Sequence, residues 1–136
     1  MDASDIERSE GDYFGLAFYE ADGQEWVVGT EEQAQSAAIA KAKEDVWAFR
    51  AQYLADGTGI DERAIRAIQE TMYENASEPL QKIVEATWNG GLDGFADDAV
   101  DEDGRGHFLS GYDGEEQEIA VQVGGETQRM YLYRYN

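Results

Sequence analysis

The two ends of the chain read as β-hairpins and everything between them repeats at helical spacing. That bracketing is the strongest constraint on its fold. Near the N-terminus the aromatic-rich run Tyr13-Phe14-Gly15-Leu16-Ala17-Phe18-Tyr19 reads as a strand, Asp22-Gly23 as a tight turn and Trp26-Val27-Val28 as the return strand. At the other end Ile119, Val121 and Val123 alternate, which predicts a strand over 117–123. Gly124-Gly125 then turns the chain, and 130–135 pairs back, tying the C-terminal segment into the sheet.

Between the hairpins, Thr30 and Gln33 form a capping-box pattern with Glu31 and Glu32 at the positive end of the dipole. The stripe Ile39, Ala42, Val46, Phe49, Tyr53, widened by Trp47 and Leu54, predicts one long helix ended by Gly57 and Gly59. Asp61 caps a second helix, with Ile65, Ile68 and Met72 on one face. Pro79, tolerated in a first helical turn, resets the chain after Ser77. Leu80, Ile83, Val84, Thr87 and Trp88 then form a third stripe, stopped by Asn89-Gly90-Gly91. Leu92, Phe95, Ala96, Ala99 and Val100 mark a short amphipathic helix whose other face carries Asp93, Asp97, Asp98 and Asp101. These stripes read as core, not as a cofactor box. The expected fold is α+β, an antiparallel sheet built from N-terminal and C-terminal β-hairpins packed on three to four central helices. At 136 residues the chain is expected to form a single domain, 1–136, with 1–12 (five acids, no apolar periodicity) as a flexible lead-in.

Charge bounds the function. Thirty Asp and Glu against ten Lys and Arg give a formal net charge of −20, a field that repels nucleic acid and anionic membranes and attracts basic proteins. The absence of cysteine excludes disulfides and thiolate chemistry. No apolar run approaches membrane-spanning length and Met1-Asp2-Ala3-Ser4-Asp5 lacks a signal-peptide pattern, so a cytoplasmic location without membrane binding is expected. The acidity is one-sided in sequence: 91–118 holds ten acids and one base, Arg105, whereas 41–90 holds nine acids and six bases.

The glycine-rich stretch 104–116 holds the residues closest to known chemical motifs. Asp101-Glu102-Asp103-Gly104 imitates part of an EF-hand loop, but aligning Gly104 with the invariant glycine puts Ala99 at the first ligand position and Ser110 at the bidentate one. A solvated acidic turn is the better reading, ahead of a loose, weak calcium site. Gly104-Arg105-Gly106-His107 lacks a following Gly-Lys-Ser or Gly-Lys-Thr and sits among acids that oppose phosphate. His107 has no second His or Cys to share a zinc ion. A catalytic pairing of His107 with Ser110, Tyr112 or a carboxylate is the enzymatic reading, set against a structural histidine beside Phe108 and Leu109. No metal, cofactor or catalytic residue is assigned.

The run Gly104-Arg105-Gly106-His107-Phe108-Leu109-Ser110-Gly111-Tyr112-Asp113-Gly114-Glu115-Glu116, with Tyr131-Leu132-Tyr133-Arg134-Tyr135-Asn136, resembles small accessory proteins of tailed phages and related mobile elements. Glu44-Asp45-Val46-Trp47-Ala48-Phe49-Arg50-Ala51 and Trp26-Val27-Val28-Gly29-Thr30-Glu31-Glu32 extend the resemblance over most of the chain. It implies action on host machinery, as by inhibitors of CRISPR and restriction systems, some of which are acidic DNA mimics, and a host cytoplasm as the site of action. It brings no catalytic residue. The expected function is therefore non-enzymatic: binding and inhibition of a basic nucleic-acid-handling host protein, with no direct nucleic-acid binding. The expected contact residues are Asp93, Asp97, Asp98, Asp101, Glu102 and Asp103, with Glu115 and Glu116 as a second patch. Helix carboxylates three or four apart stand about 5–6 Å from one another, a row comparable to duplex phosphate. The alternatives are an acidic, halophilic or solubility-adapted housekeeping domain, and a small hydrolase using His107.

Overall fold

A computed structural model describes residues 6–136 and has the expected α+β architecture. Among the described residues, no helix is long and apolar enough to cross a membrane. The chain divides into two compact units, one of residues up to Ala38 together with Asp103–Asn136, the other Ile39–Glu102.

The first unit is built on a five-stranded antiparallel sheet: β1 (Ile6–Tyr13), β2 (Leu16–Ala21), β3 (Gln24–Gly29), β4 (Gln117–Val123) and β5 (Glu126–Arg134), in the order β1-β2-β3-β5-β4. Three two-residue loops, Phe14-Gly15, Asp22-Gly23 and Gly124-Gly125, join the hairpins with positive φ at both positions. That backbone twist matches the twist of the flanking strands. The aromatic run expected as one strand over 13–19 is thus split by a turn at Phe14-Gly15. Within the expected lead-in, residues 6–12 belong to a strand, Ile6–Tyr13, paired on β2, and residues 1–5 lie outside the described ones. A polar edge strand needs no apolar alternation, because the backbone ladder holds it. Arg8 reinforces the pairing through the Phe18 carbonyl at 3.0 Å and the Tyr19 ring at 5.7 Å.

Leu16, Val27 and Tyr133 are fully buried in this unit, with Ala34, Ala37 and Ala38 of helix α1 (Glu31–Glu44). The capping box forms as read: Gln33 N–H donates to Thr30 Oγ1 at 3.2 Å and Thr30 N–H to Gln33 Oε1 at 2.9 Å. Asn136 Oδ1 accepts the Glu25 N–H at 3.1 Å, and the Tyr135 ring packs on Phe18 and Tyr13.

The second unit holds the end of α1, a 3-10 turn (Asp45–Ala48), α2 (Ala51–Thr58), α3 (Glu62–Met72), a 3-10 turn (Tyr73–Ala76), α4 (Ser77–Thr87) and all of α5 (Gly91–Asp103) except its last residue. Its core is Val46, Leu54, Ile65, Leu80, Val84, Phe95 and Ala96, each at most 1% exposed. The long helix expected through Tyr53 is broken, with Phe49 and Arg50 extended (ψ 153° and 133°). Distant donors satisfy carbonyls along the break: Gln81 Nε2 reaches Lys43 O at 2.7 Å, Ser77 Oγ reaches Glu44 O at 2.6 Å and Gln69 Nε2 reaches Phe49 O at 2.6 Å. Asp61 caps α3 as read, its side chain accepting the Arg63 N–H at 2.8 Å.

Candidate functional site

Helix α5 buries Phe95, Ala96, Ala99 and Val100 on one face, so its acids are turned outward. Asp93, Asp97, Asp98, Asp101, Glu102 and Asp103 are all exposed. At helical spacing Asp93, Asp97 and Asp101 form one row, and Asp98 and Glu102 a second beside it. Two of the six serve the fold. Asp93 pairs with Lys43 at 2.5 Å, and Asp98 Oδ2 accepts the indole N–H of Trp88 at 3.0 Å. The side chains of Asp97, Asp101, Glu102 and Asp103 have no hydrogen-bond or ion-pair partner among the described residues. The last turn of α5 contains no base, so Asp101, Glu102 and Asp103 stand at the negative end of the helix dipole, where carboxylates are unfavourable.

Beside this face lies an open cleft of about 630 Å³ lined by Tyr53, Asp56, Gly57, Trp88, Asp98, Asp101 and Glu102. Tyr53 and Trp88 are 5.4 Å apart between ring centroids, and Trp88 is backed by Phe95 at 5.1 Å. The closeness of Gly57 seats the indole: a Cβ there would come within 2.0 Å of the ring. Two aromatic rings and four carboxylates thus line the cleft, groups whose chemistry suits a guanidinium or an ammonium cation. Periodicity placed Tyr53 and Trp88 in core stripes and gave Asp56 no role. The break after Phe49, which starts α2 afresh, is not visible in local sequence.

The second expected patch belongs to the other unit and is divided in role. Glu115 is exposed, whereas Glu116 is held by Arg105, whose Nε and Nη2 donate to its two oxygens at 2.7 and 3.1 Å. Tyr133 also donates its hydroxyl to Glu116. Burial first, and then this carboxylate, raise the Tyr133 pKa, so the phenol stays protonated. Arg105 further lies 4.8 Å from the Tyr131 ring centroid and 3.8 Å from Glu31.

The glycine-rich stretch contains a short helix, α6 (Arg105–Leu109), which buries Phe108 and Leu109. Gly106 lets it approach the 114–115 backbone, since a Cβ there would meet Gly114 O at 2.4 Å. His107 is exposed, with its ring edge-on to Phe108 and no hydrogen bond to Ser110. The buried Ser110 hydroxyl lies 2.8 Å from both Asp113 Oδ1 and Arg134 O, which anchors the stretch to β5. Among the described residues no group of His, Cys, Asp or Glu is arranged to hold a metal ion. No family model, curated protein or solved structure matches this chain.

Proposed function

We propose that this chain is a non-catalytic, phage-type accessory protein whose α5 face and aromatic cleft bind, and so inhibit, a basic nucleic-acid-handling host protein of the CRISPR or restriction type. One observation carries the reading. Asp101, Glu102 and Asp103 crowd the negative end of α5 with no base in that turn and no partner among the described residues. They oppose the helix that bears them, so the gain from placing them there lies outside the chain. The cleft adds specificity: a lysine or arginine of the partner inserts over Trp88 and Tyr53 while the carboxylate rows meet the cationic groove around it.

The test is capture from a host lysate with wild-type protein and with a variant carrying Asp97→Asn, Asp101→Asn, Glu102→Gln and Asp103→Asn. The expected partner is basic, is released by salt, is displaced by duplex DNA, and is absent from the variant's eluate although the variant folds. Equal capture by the variant, or capture indifferent to salt and DNA, overturns the proposal. An acidic face that serves only solvation in high salt predicts a different result: no partner, and unfolding of the wild type on dilution into low salt.

A further inference from the structure

The two edges of the sheet are built differently. β1 carries Glu7, Arg8, Glu10 and Asp12 and an irregularity between Arg8 and Asp12, the features by which edge strands resist further pairing. Of these features β4 has a single charged side chain, Glu118. It has no lysine, no proline and no bulge, and all seven residues pair in unbroken register with β5. Its outer edge pairs with no strand among the described residues. Ile119, Val121 and Val123 project to one face, with Ile119 45% and Val123 56% exposed. Apolar surface thus lies open on an unprotected edge.

Charge indicates what covers it. In a chain of −20, residues 117–134 contain two acids, Glu118 and Glu126, and two bases, Arg129 and Arg134, and are neutral. The only charge on β4, Glu118, is already paired across the hairpin with Arg129. Such an edge gains nothing from a cationic partner and escapes the repulsion that the rest of the surface imposes on a second copy.

The sequence of β4 is also self-complementary. In an antiparallel pairing about a two-fold axis at Ala120, Ile119 of one copy faces Val121 of the other, Glu118 faces Gln122, Gln117 faces Val123 and Ala120 faces itself. No like charges are opposed: the two Glu118 positions lie about 13 Å apart along the strands, more than a Debye length at physiological salt. We infer that β4 docks edge to edge on β4 of a second copy of this chain, joining two five-stranded sheets into one of ten strands. Edge pairing alone buries little area, so the dimer is weak and is strengthened by salt, which screens the net charges. This sign is opposite to that expected for the basic partner, and the inference does not depend on the acidic face.

Because the chain has no cysteine, single cysteines report the register. Ala120→Cys places two thiols on the axis with Cβ atoms about 4.5–5.5 Å apart, whereas Gln122→Cys separates them by about 13 Å along the strands. Under mild oxidation with copper phenanthroline, Ala120→Cys is expected to form a disulfide-linked dimer at least about tenfold faster than Gln122→Cys. Adding Ile119→Lys to Ala120→Cys should reduce that rate while far-UV circular dichroism stays native. Equal rates for the two cysteines, no cross-link at either, or indifference to Ile119→Lys in a folded variant overturns the inference.

Discussion

Arg105 and Glu116 meet through two hydrogen bonds, Nε to Oε1 at 2.7 Å and Nη2 to Oε2 at 3.1 Å. Arg105 is the one base within 91–118, and its side chain is only 15% exposed. The pair fastens α6 and the loop after it to the sheet, because Glu116 also accepts from Tyr133 and Arg105 stacks on Tyr131. Glu116→Gln leaves a mostly buried guanidinium with only the longer Glu31 contact as counter-charge and is expected to destabilise by about 1–3 kcal/mol. Urea unfolding measures this. A loss below about 0.5 kcal/mol would mark the pair as no stronger than a surface ion pair.

Gly57→Ala sets two effects against each other. Alanine inside a helix is favoured over glycine by about 1 kcal/mol. Against that, the new Cβ would lie 2.0–2.5 Å from three atoms of the Trp88 ring. Trp88 is wedged among Tyr53, Phe95 and the Asp98 carboxylate, so it cannot retreat cheaply. Overpacking of this kind costs about 1–3 kcal/mol and is expected to win. The variant should lose stability and change its near-UV circular dichroism as the indole shifts. A more stable protein with an unchanged spectrum would show that Gly57 has no seating role.

The elements legible in sequence were those whose signals are local. Asp22-Gly23 and Gly124-Gly125 specify turns by themselves, Thr30 with Gln33 caps α1, and Asp61 caps α3. What stayed hidden depends on distant partners. The break after α1 is supported by Gln69, Ser77 and Gln81, which lie 20, 33 and 38 residues from the carbonyls they satisfy. β1 carries no hydrophobic alternation because it is an edge strand, and its pairing partner is its only signal. The acidic face of α5 was readable from spacing. The cleft beside it was not, because it requires α2, α4 and α5 to bring Tyr53, Trp88 and Asp98 together.

Two hydrogen-bonded carboxylates, the α3 cap Asp61 and the loop residue Asp113, give the fold a defined acid response. Asp61 is held below the ordinary aspartate range by hydrogen bonds from the Arg63 side chain and then its N–H. Asp113 is held low by the Glu115 N–H and then the Ser110 hydroxyl. A depressed folded-state pKa contributes stability that is complete above the unfolded value, about 3.9, and is lost as pH falls through the folded value. Thirty acids titrate in the same region, so the informative quantity is the difference between wild type and Asp61→Asn or Asp113→Asn. Both variants should be less stable than wild type at neutral pH, with the gap closing as pH falls below about 4. A gap that is constant with pH would assign the loss to shape and not to charge.

The C-terminal turn of α5 should be a place where removing charge improves the fold. Asp101, Glu102 and Asp103 face the negative helix end, and at spacings of three and four Asp101 also meets Asp97 and Asp98, and Glu102 meets Asp98. Each is expected to cost about 0.3–1 kcal/mol at low salt through the dipole, with repulsion between neighbours adding to it. Asp101→Asn, Glu102→Gln and Asp103→Asn together should therefore raise the unfolding midpoint in dilute buffer. In molar salt the advantage should shrink, since screening already relieves the wild type. If stability instead falls, the three carboxylates are bonded within the chain and the argument that they face a partner fails. If stability rises while capture of the basic partner is lost, the same three side chains trade folding free energy for binding, as expected of an interaction surface.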